Sequence, residues 1–138
     1  VVNSKTLAAH PELGKALTGA WFETQRLMGL PTAAGRAARA QMATAAGTTA
    51  ADFSQQLDTL RSFYAPRYAL AFARANQMPE RMQRVVQFAA AQGLLGTSGS
   101  GLDNLGIEFS GERSLGNPQK IMLRFDGRYM QMAADQQL

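Results

Sequence analysis

Apolar side chains recur at three- and four-residue intervals over most of the first 95 positions, and alternate with polar ones only near the C-terminus. The first pattern predicts amphipathic helices, the second a short strand. Residues 4–9 fit one short helical turn capped by Ser4. Pro11 suits the first turn of a longer helix, with Leu13, Ala16, Leu17, Ala20, Trp21, Leu27 and Met28 on the expected buried face. Gly29 and Pro31 stop it. Thr32 caps a helix to about Ala46, ended by Gly47. Its many alanines favour helix but bury little area, so it should pack closely or sit at the periphery. Thr49 and Asp52 read as a capping box opening a helix whose inward positions are Phe53, Leu57 and Leu60. Ser62 to Pro66 is expected to bend, because a residue preceding proline avoids helical angles. Pro66 then opens a helix through Ala75 with Ala69, Leu70 and Ala73 inward, closed by Asn76. Pro79 opens another, with Met82, Val85, Val86 and Ala89 on one face and Gly93 at its end. Leu94 and Leu95 are expected to tuck into the core.

The character changes after Leu95. Residues 96–106 are rich in Gly and Ser and read as a loop. Ile107-Glu108-Phe109 reads as a short strand, and 110–119 as turns around Gly111, Gly116 and Pro118. Lys120 to Phe125 alternates, with Ile121, Leu123 and Phe125 on one side, as a strand or an extended arm. Asp126 is placed to cap a last helix carrying Tyr129, Met130 and Ala133. The fold class expected is mainly α: five to six helices with one or two short strands, in a single segment 1–138 with a Gly/Ser-rich loop region at 96–119. The Gly/Ser stretch 96–106 is the best linker candidate, yet only about 30 residues follow it, too few for a stable core alone. No internal repeat marks a solenoid.

Composition narrows the function classes. A length of 138 residues with 46% hydrophobic and 17% charged positions fits one globular domain. The absence of cysteine excludes disulfides, thiolate metal sites and cysteine nucleophiles. Apolar stretches fall well short of the ~20 residues of a membrane span. The opening Val1-Val2-Asn3 has neither an initiator methionine nor the basic and apolar segments of a signal peptide. The formal charge of +4 and pI near 10.0 raise nucleic acid or anionic lipid as partners. The arginines, however, are scattered among acidic residues with no run of like charge, so a solvated surface is the better reading and no nucleic-acid partner is expected.

Candidate chemistry is sparse. His10, the only histidine, has no other ligands spaced for zinc and reads as a surface or capping residue. Ser98 and Ser100 miss the nucleophile-elbow pattern, and no second histidine serves as a base. The same loop lacks the lysine of a phosphate-binding loop, and Asn104 stands where a dinucleotide motif needs its third glycine. The late carboxylates Glu108, Glu112 and Asp126 show no spacing for paired acid–base work. Met28 and Met82 fall on inward helical faces and read as packing; Met130 and Met132 stay open. No catalytic residue, metal site or cofactor is expected, and enzymatic activity is not. The most suggestive cluster is Phe63, Tyr64 and Arg67, two aromatics and a cation at a loop-to-helix junction that could orient a small anion. The competing reading has Phe63 and Tyr64 plugging a core edge.

Several modest matches occur in order: Val1-Val2-Asn3-Ser4-Lys5, His10-Pro11-Glu12-Leu13 and Ala20-Trp21-Phe22; Phe63-Tyr64-Ala65-Pro66 with Ala69 and Phe72; Gln92-Gly93-Leu94-Leu95-Gly96; and Gly106-Ile107-Glu108-Phe109 through Leu115-Gly116 to Leu123-Arg124-Phe125-Asp126, Tyr129-Met130 and Ala133-Ala134. Together they resemble the C-terminal portion of periplasmic substrate-binding proteins of ABC importers, in the nitrate/sulfonate/taurine and thiamine-precursor group. The resemblance implies part of a type II periplasmic-binding-protein α/β fold, about twice this length when whole, with two lobes closing on a solute. It implies a periplasmic, or extracellular and membrane-tethered, solute-binding component that captures a small solute, an anion among the candidates, and docks on an ABC permease of the inner membrane. By loose analogy Phe63 and Tyr64 would lie nearest the cleft. Exposed helix faces would favour a homo-oligomer of this portion. The rival from another class is an independent helical protein-interaction domain; a nucleic-acid binder is supported by the pI alone.

Overall fold

A computed structural model describes residues 1–95, 102–111 and 113–138. Of these, 59% are helical, in seven helices, and three short strands form a small sheet. The elements are α1 (Ser4–Ala9), α2 (Pro11–Met28), α3 (Ala33–Ala45), α4 (Ala50–Thr59), α5 (Pro66–Arg74), α6 (Met78–Ala91), β1 (Gly106–Phe109), β2 (Arg113–Gly116), β3 (Ile121–Arg124) and α7 (Arg128–Ala134). They gather into two compact units, Val1–Ala69 with Tyr129–Leu138, and Leu70–Arg128. The division falls within α5 and at the start of α7.

The first unit follows its capping chemistry closely. Asn3, one residue before the expected Ser4, caps α1: its Oδ1 accepts the amides of Lys5 (2.9 Å) and Thr6 (3.3 Å). Thr32 Oγ1 accepts the Gly35 amide at the start of α3, and Gly47 ends that region in the left-handed conformation. At α4 the box closes both ways, Asp52 N–H donating to Thr49 Oγ1 (3.1 Å) and the Thr49 hydroxyl to Asp52 Oδ2 (2.7 Å). Arg39 of α3 donates to the carbonyls of Met28 and Leu30, satisfying oxygens at the end of α2.

The buried stripe of α2 differs from the expected one. Gly14, Phe22, Gln25 and Met28 are inside, whereas Leu17 is exposed and Trp21 is 60% exposed. The cause is close packing by small residues. The Tyr129 ring lies where a side chain at residue 14 would stand, its atoms 2.3–2.8 Å from an ideal Cβ, and the Tyr129 hydroxyl donates to Pro11 O (3.3 Å). Gly35 of α3 is just as tight: an ideal Cβ there would collide with Leu30 O. Helix approach through Gly14 and Gly35 decides which face is covered, and it outweighs the larger apolar area of Trp21. Phe53 and Leu57 are half-buried in α4, while Leu60 is exposed just beyond it.

The second unit is built around β1. Strand order is β2-β1-β3, with β1 antiparallel to β2 and parallel to β3. Ile107 faces Leu115 on one side and Leu123 on the other, and Glu108 faces Ser114 and Arg124. Period-2 alternation therefore puts Ile107, Leu115 and Leu123 on one face and Glu108, Ser114 and Arg124 on the other. Ile107 and Phe109 join Met78 and Val86 of α6 in the core, flanked by Phe72, Met82, Leu102 and Leu105. Strand β2 lies where turns alone were expected. Val85, Leu94 and Leu95 are exposed, Leu94 by 70%, so the leucine pair does not enter the core. Among the described residues no helix is long and apolar enough to cross a membrane.

Candidate functional site: an arginine-lined cleft

Parallel strands β1 and β3 bring their carboxyl ends to the same edge of the sheet. Crevices outside the carboxyl ends of strands are where ligands bind in α/β sheets, because chain reversal there leaves backbone and loop side chains facing open space. Here Phe109-Ser110-Gly111 leaves β1 and Phe125-Asp126-Gly127 leaves β3. The two exits are tied: Phe125 N–H donates to Glu108 O (2.9 Å), and the Ser110 hydroxyl to Phe125 O (3.4 Å). Gly127 is buried, and a Cβ there would meet Leu70 Cδ1 at 3.3 Å, Ser110 Oγ at 3.6 Å and Arg74 Nε at 3.7 Å.

An open cleft of about 660 Å³ lies at this edge, lined by these exits together with Arg74, Glu108, Arg113, Ser114, Pro118, Ile121, Arg124 and Arg128. Two of the arginines are matched by carboxylates. Arg124 Nε is 2.7 Å from Glu108 Oε1 across the parallel pair. Arg128 grips Asp126 through Nε, 2.8 Å from Oδ2, and through its terminal nitrogen at 2.5 Å. Arg113 instead donates to two backbone carbonyls, Ser110 O (3.2 Å) and Arg74 O (3.4 Å). That fixes the position of its guanidinium without cancelling its charge.

Asp126 also positions the chain, since Oδ1 accepts the Arg128 amide at 3.0 Å where α7 begins. The Arg128 guanidinium holds its carboxyl below the ordinary carboxylate pKa; partial burial opposes this, while the Arg128 amide and the charges of Arg128 and Arg124 assist. A depressed folded-state pKa gives stability that is present above the unfolded value of about 3.9 and lost as pH falls through the lower folded value. Asp126→Asn should therefore flatten the acid limb of a thermal-melting profile below about pH 4 and leave melting at neutral pH lower and less dependent on pH. An unchanged acid limb in the variant would show that the pair is too solvated to matter.

None of Phe63, Tyr64 and Arg67 lines this cleft. Tyr64 lies over Gly29, its ring 2.9 Å from an ideal Cβ there; Phe63 is half-buried under Arg61, whose Cζ is 5.8 Å from the ring centroid. Arg67 turns to its neighbour Tyr68, donating to the hydroxyl at 3.0 Å with Cζ 4.6 Å from the ring centroid. His10 is exposed at the start of α2, 3.4 Å from Glu12. Ser98, Ser100 and Glu112 lie outside the described residues. No group of three or more His, Cys, Asp or Glu able to hold a metal occurs among the described residues. The cleft arginines carried no sequence motif; their one shared signal is that Arg113, Arg124 and Arg128 sit at the ends of short elements within sixteen positions. The chain matches no protein-family model, no curated protein and no solved structure.

Proposed function

We propose that the chain serves in the solute-binding component of a bacterial ABC import system, holding a small anionic solute without chemical change. The Arg113 guanidinium, held by two backbone carbonyls in the cleft at the carboxyl ends of β1 and β3, carries this reading. Guanidinium forks suit oxyanions, and a cleft of this volume lies in the range of small-molecule sites. The transport context, and with it a type II binding-protein fold, a periplasmic or membrane-tethered location and a permease partner, is what the resemblance to the C-terminal portion of periplasmic binding proteins implies. On this reading, closure of a second lobe over the arginines captures the solute, a hinge motion with no bond made or broken. Isothermal titration calorimetry with taurine, nitrate and sulfate tests it. A saturable single site for at least one of these, weakened in Arg113→Gln, is the expected result. Turnover of a ligand, or binding to DNA that falls by orders of magnitude between about 50 and 200 mM salt, counts against it.

A second reading, an independent helical protein-interaction domain, is favoured by Leu17 and Trp21, exposed one turn apart on α2. Loss of Trp21 fluorescence change on partner binding in Leu17→Ala, with no anion binding at all, would support that reading over the first.

A further inference from the structure

The way Arg113 is held selects among anions by the shape of their heads. Its Nε donates to Ser110 O (3.2 Å) and Nη2 to Arg74 O (3.4 Å), so the edge of the guanidinium shared by Nε and Nη2 faces main-chain oxygens. The group carries five N–H donors in one plane, and three remain, both of those on Nη1 among them. Among the described residues no carboxylate pairs with Arg113; Glu108 and Asp126, which share the cleft, are held by Arg124 and Arg128. The outer edge, between Nη1 and Nη2, is therefore left for a ligand as a rigid planar fork. Two parallel N–H groups meet both oxygens of a carboxylate. A tetrahedral head keeps a third oxygen out of that plane, where this fork offers it no donor. The second feature is aromatic. Phe109 and Phe125 stack with ring centroids 5.3 Å apart and planes 7° apart, and both line the cleft. Phe109 is only 2% exposed and Phe125 is half-buried, so what stays open of the stack belongs to Phe125. A cavity of about 150 Å³ holds a benzene ring, and the cleft, at about 660 Å³, has room for one beside a charged head.

From these features we infer that the cleft takes a small aromatic carboxylate, its head on the outer edge of Arg113 and its ring against Phe125. This rests on the reading of the cleft as an anion site and narrows that reading to one chemical class.

Calorimetry on the full chain with four probes tests the class. Benzoate and benzenesulfonate share a ring and a charge and differ in the head. Benzoate and cyclohexanecarboxylate share the head and differ in the ring. Nitrate is planar and has no ring. Benzoate should bind roughly tenfold tighter than benzenesulfonate, whose third oxygen is left without a donor. It should exceed cyclohexanecarboxylate by roughly three- to tenfold, the worth of an aromatic pair beyond its area, and nitrate by more. Arg113→Lys keeps the charge and removes the fork, so benzoate should lose its lead over benzenesulfonate. Phe125→Leu keeps an apolar wall and removes the ring, so benzoate should lose its lead over cyclohexanecarboxylate while the preference for a carboxylate head stays. Phe125 also packs against the core, and the comparisons of probes on the unaltered chain stand even where Phe125→Leu folds poorly. Benzenesulfonate or cyclohexanecarboxylate binding as tightly as benzoate would overturn the aromatic carboxylate and leave an anion site standing, as would nitrate binding where benzoate does not. Failure of all four probes together with taurine and sulfate would remove the anion site itself.

Discussion

Ile107→Ala is expected to cost about 3 kcal/mol of stability, within the usual range of roughly 2–5 kcal/mol for truncating a large buried aliphatic side chain. Ile107 is 1% exposed on the central strand, between Leu115 and Leu123, and packs in the core with Met78 and Val86 of α6. No flank of it faces water, so the cavity left by truncation has little room to collapse. For a unit of this size the loss translates to a melting temperature lower by roughly 12–24 °C. Met122→Ala is the matched control. Met122 is 75% exposed on β3, and its truncation should change stability by no more than about 0.5 kcal/mol. Circular-dichroism melting, with hydrogen exchange at the β1 and β3 amides, reads both variants. Because Glu108, Phe109 and Ser110 lead from this strand into the cleft, Ile107→Ala should also weaken anion binding wherever the unit is partly unfolded. Similar melting of the two variants would mean that β1 is not the organising strand.

The helices were legible because their ends are written in local chemistry. Pro11, Thr32, Thr49 and Pro66 each open a helix as their backbone preferences require, and Gly47 and Gly93 close theirs with positive φ. Which face each helix buries was less legible, because partner choice is a tertiary matter. In α6 the inward residues are Met78, Met82, Val86 and Ala89, and Val85 turns out. In α2 the buried stripe passes through Gly14 and Gln25, which no hydropathy pattern would select, since it is the absence of a side chain at Gly14 that admits the Tyr129 ring. Strand β2 was illegible for a related reason. Arg113-Ser114-Leu115-Gly116 has one apolar residue and stands between glycines and a proline; it is a strand only because β1 offers it a partner in register.

The cleft was hidden by the same gap between local and tertiary information. In sequence, Arg74, Arg113, Arg124 and Arg128 looked like scattered surface charge. They converge because β1 and β3 run parallel and because the chain between them returns through β2, neither of which follows from spacing. Glu108 lies on the face of β1 opposite Ile107, and its role is set by Arg124 opposite it in the parallel register. The Phe63, Tyr64 and Arg67 cluster shows the reverse case: aromatic and cationic residues close in sequence whose contacts include Arg61, Gly29 and Tyr68 in turn. Proximity along the chain was a poor guide to convergence in both directions.

Gly116→Ala is expected to be the most damaging single-methyl addition in the Leu70–Arg128 unit, and Gly111→Ala shows why. Both glycines have positive φ, +77° and +80°, where an alanine costs roughly 1–2 kcal/mol in backbone strain. At Gly111 nothing lies within 4 Å of the added Cβ, so strain is the whole effect. At Gly116 the Cβ would lie 2.0 Å from Leu105 O and 3.0 Å from Leu102 O, backbone atoms that cannot swing aside as a side chain would. Leu105 O also accepts the Asn117 amide at 3.1 Å, and Gly116 faces Gly106, itself 2.1 Å from Asn117 O by the same measure. Relief therefore requires breaking the backbone pairing where the chain leaves β2 beside the start of β1. Overpacking against fixed atoms adds roughly 1–3 kcal/mol to the strain, about 2–5 kcal/mol in all. Against the few kcal/mol that hold so small a unit together, the sheet should be largely lost at 37 °C. The measurement is hydrogen exchange at the Ile107 and Leu115 amides in both variants. Protection retained in Gly111→Ala and lost in Gly116→Ala is the expected contrast; equal protection would show that the backbone at Leu105 yields, and that the Gly106–Gly116 pair does not decide the pairing of β1 with β2.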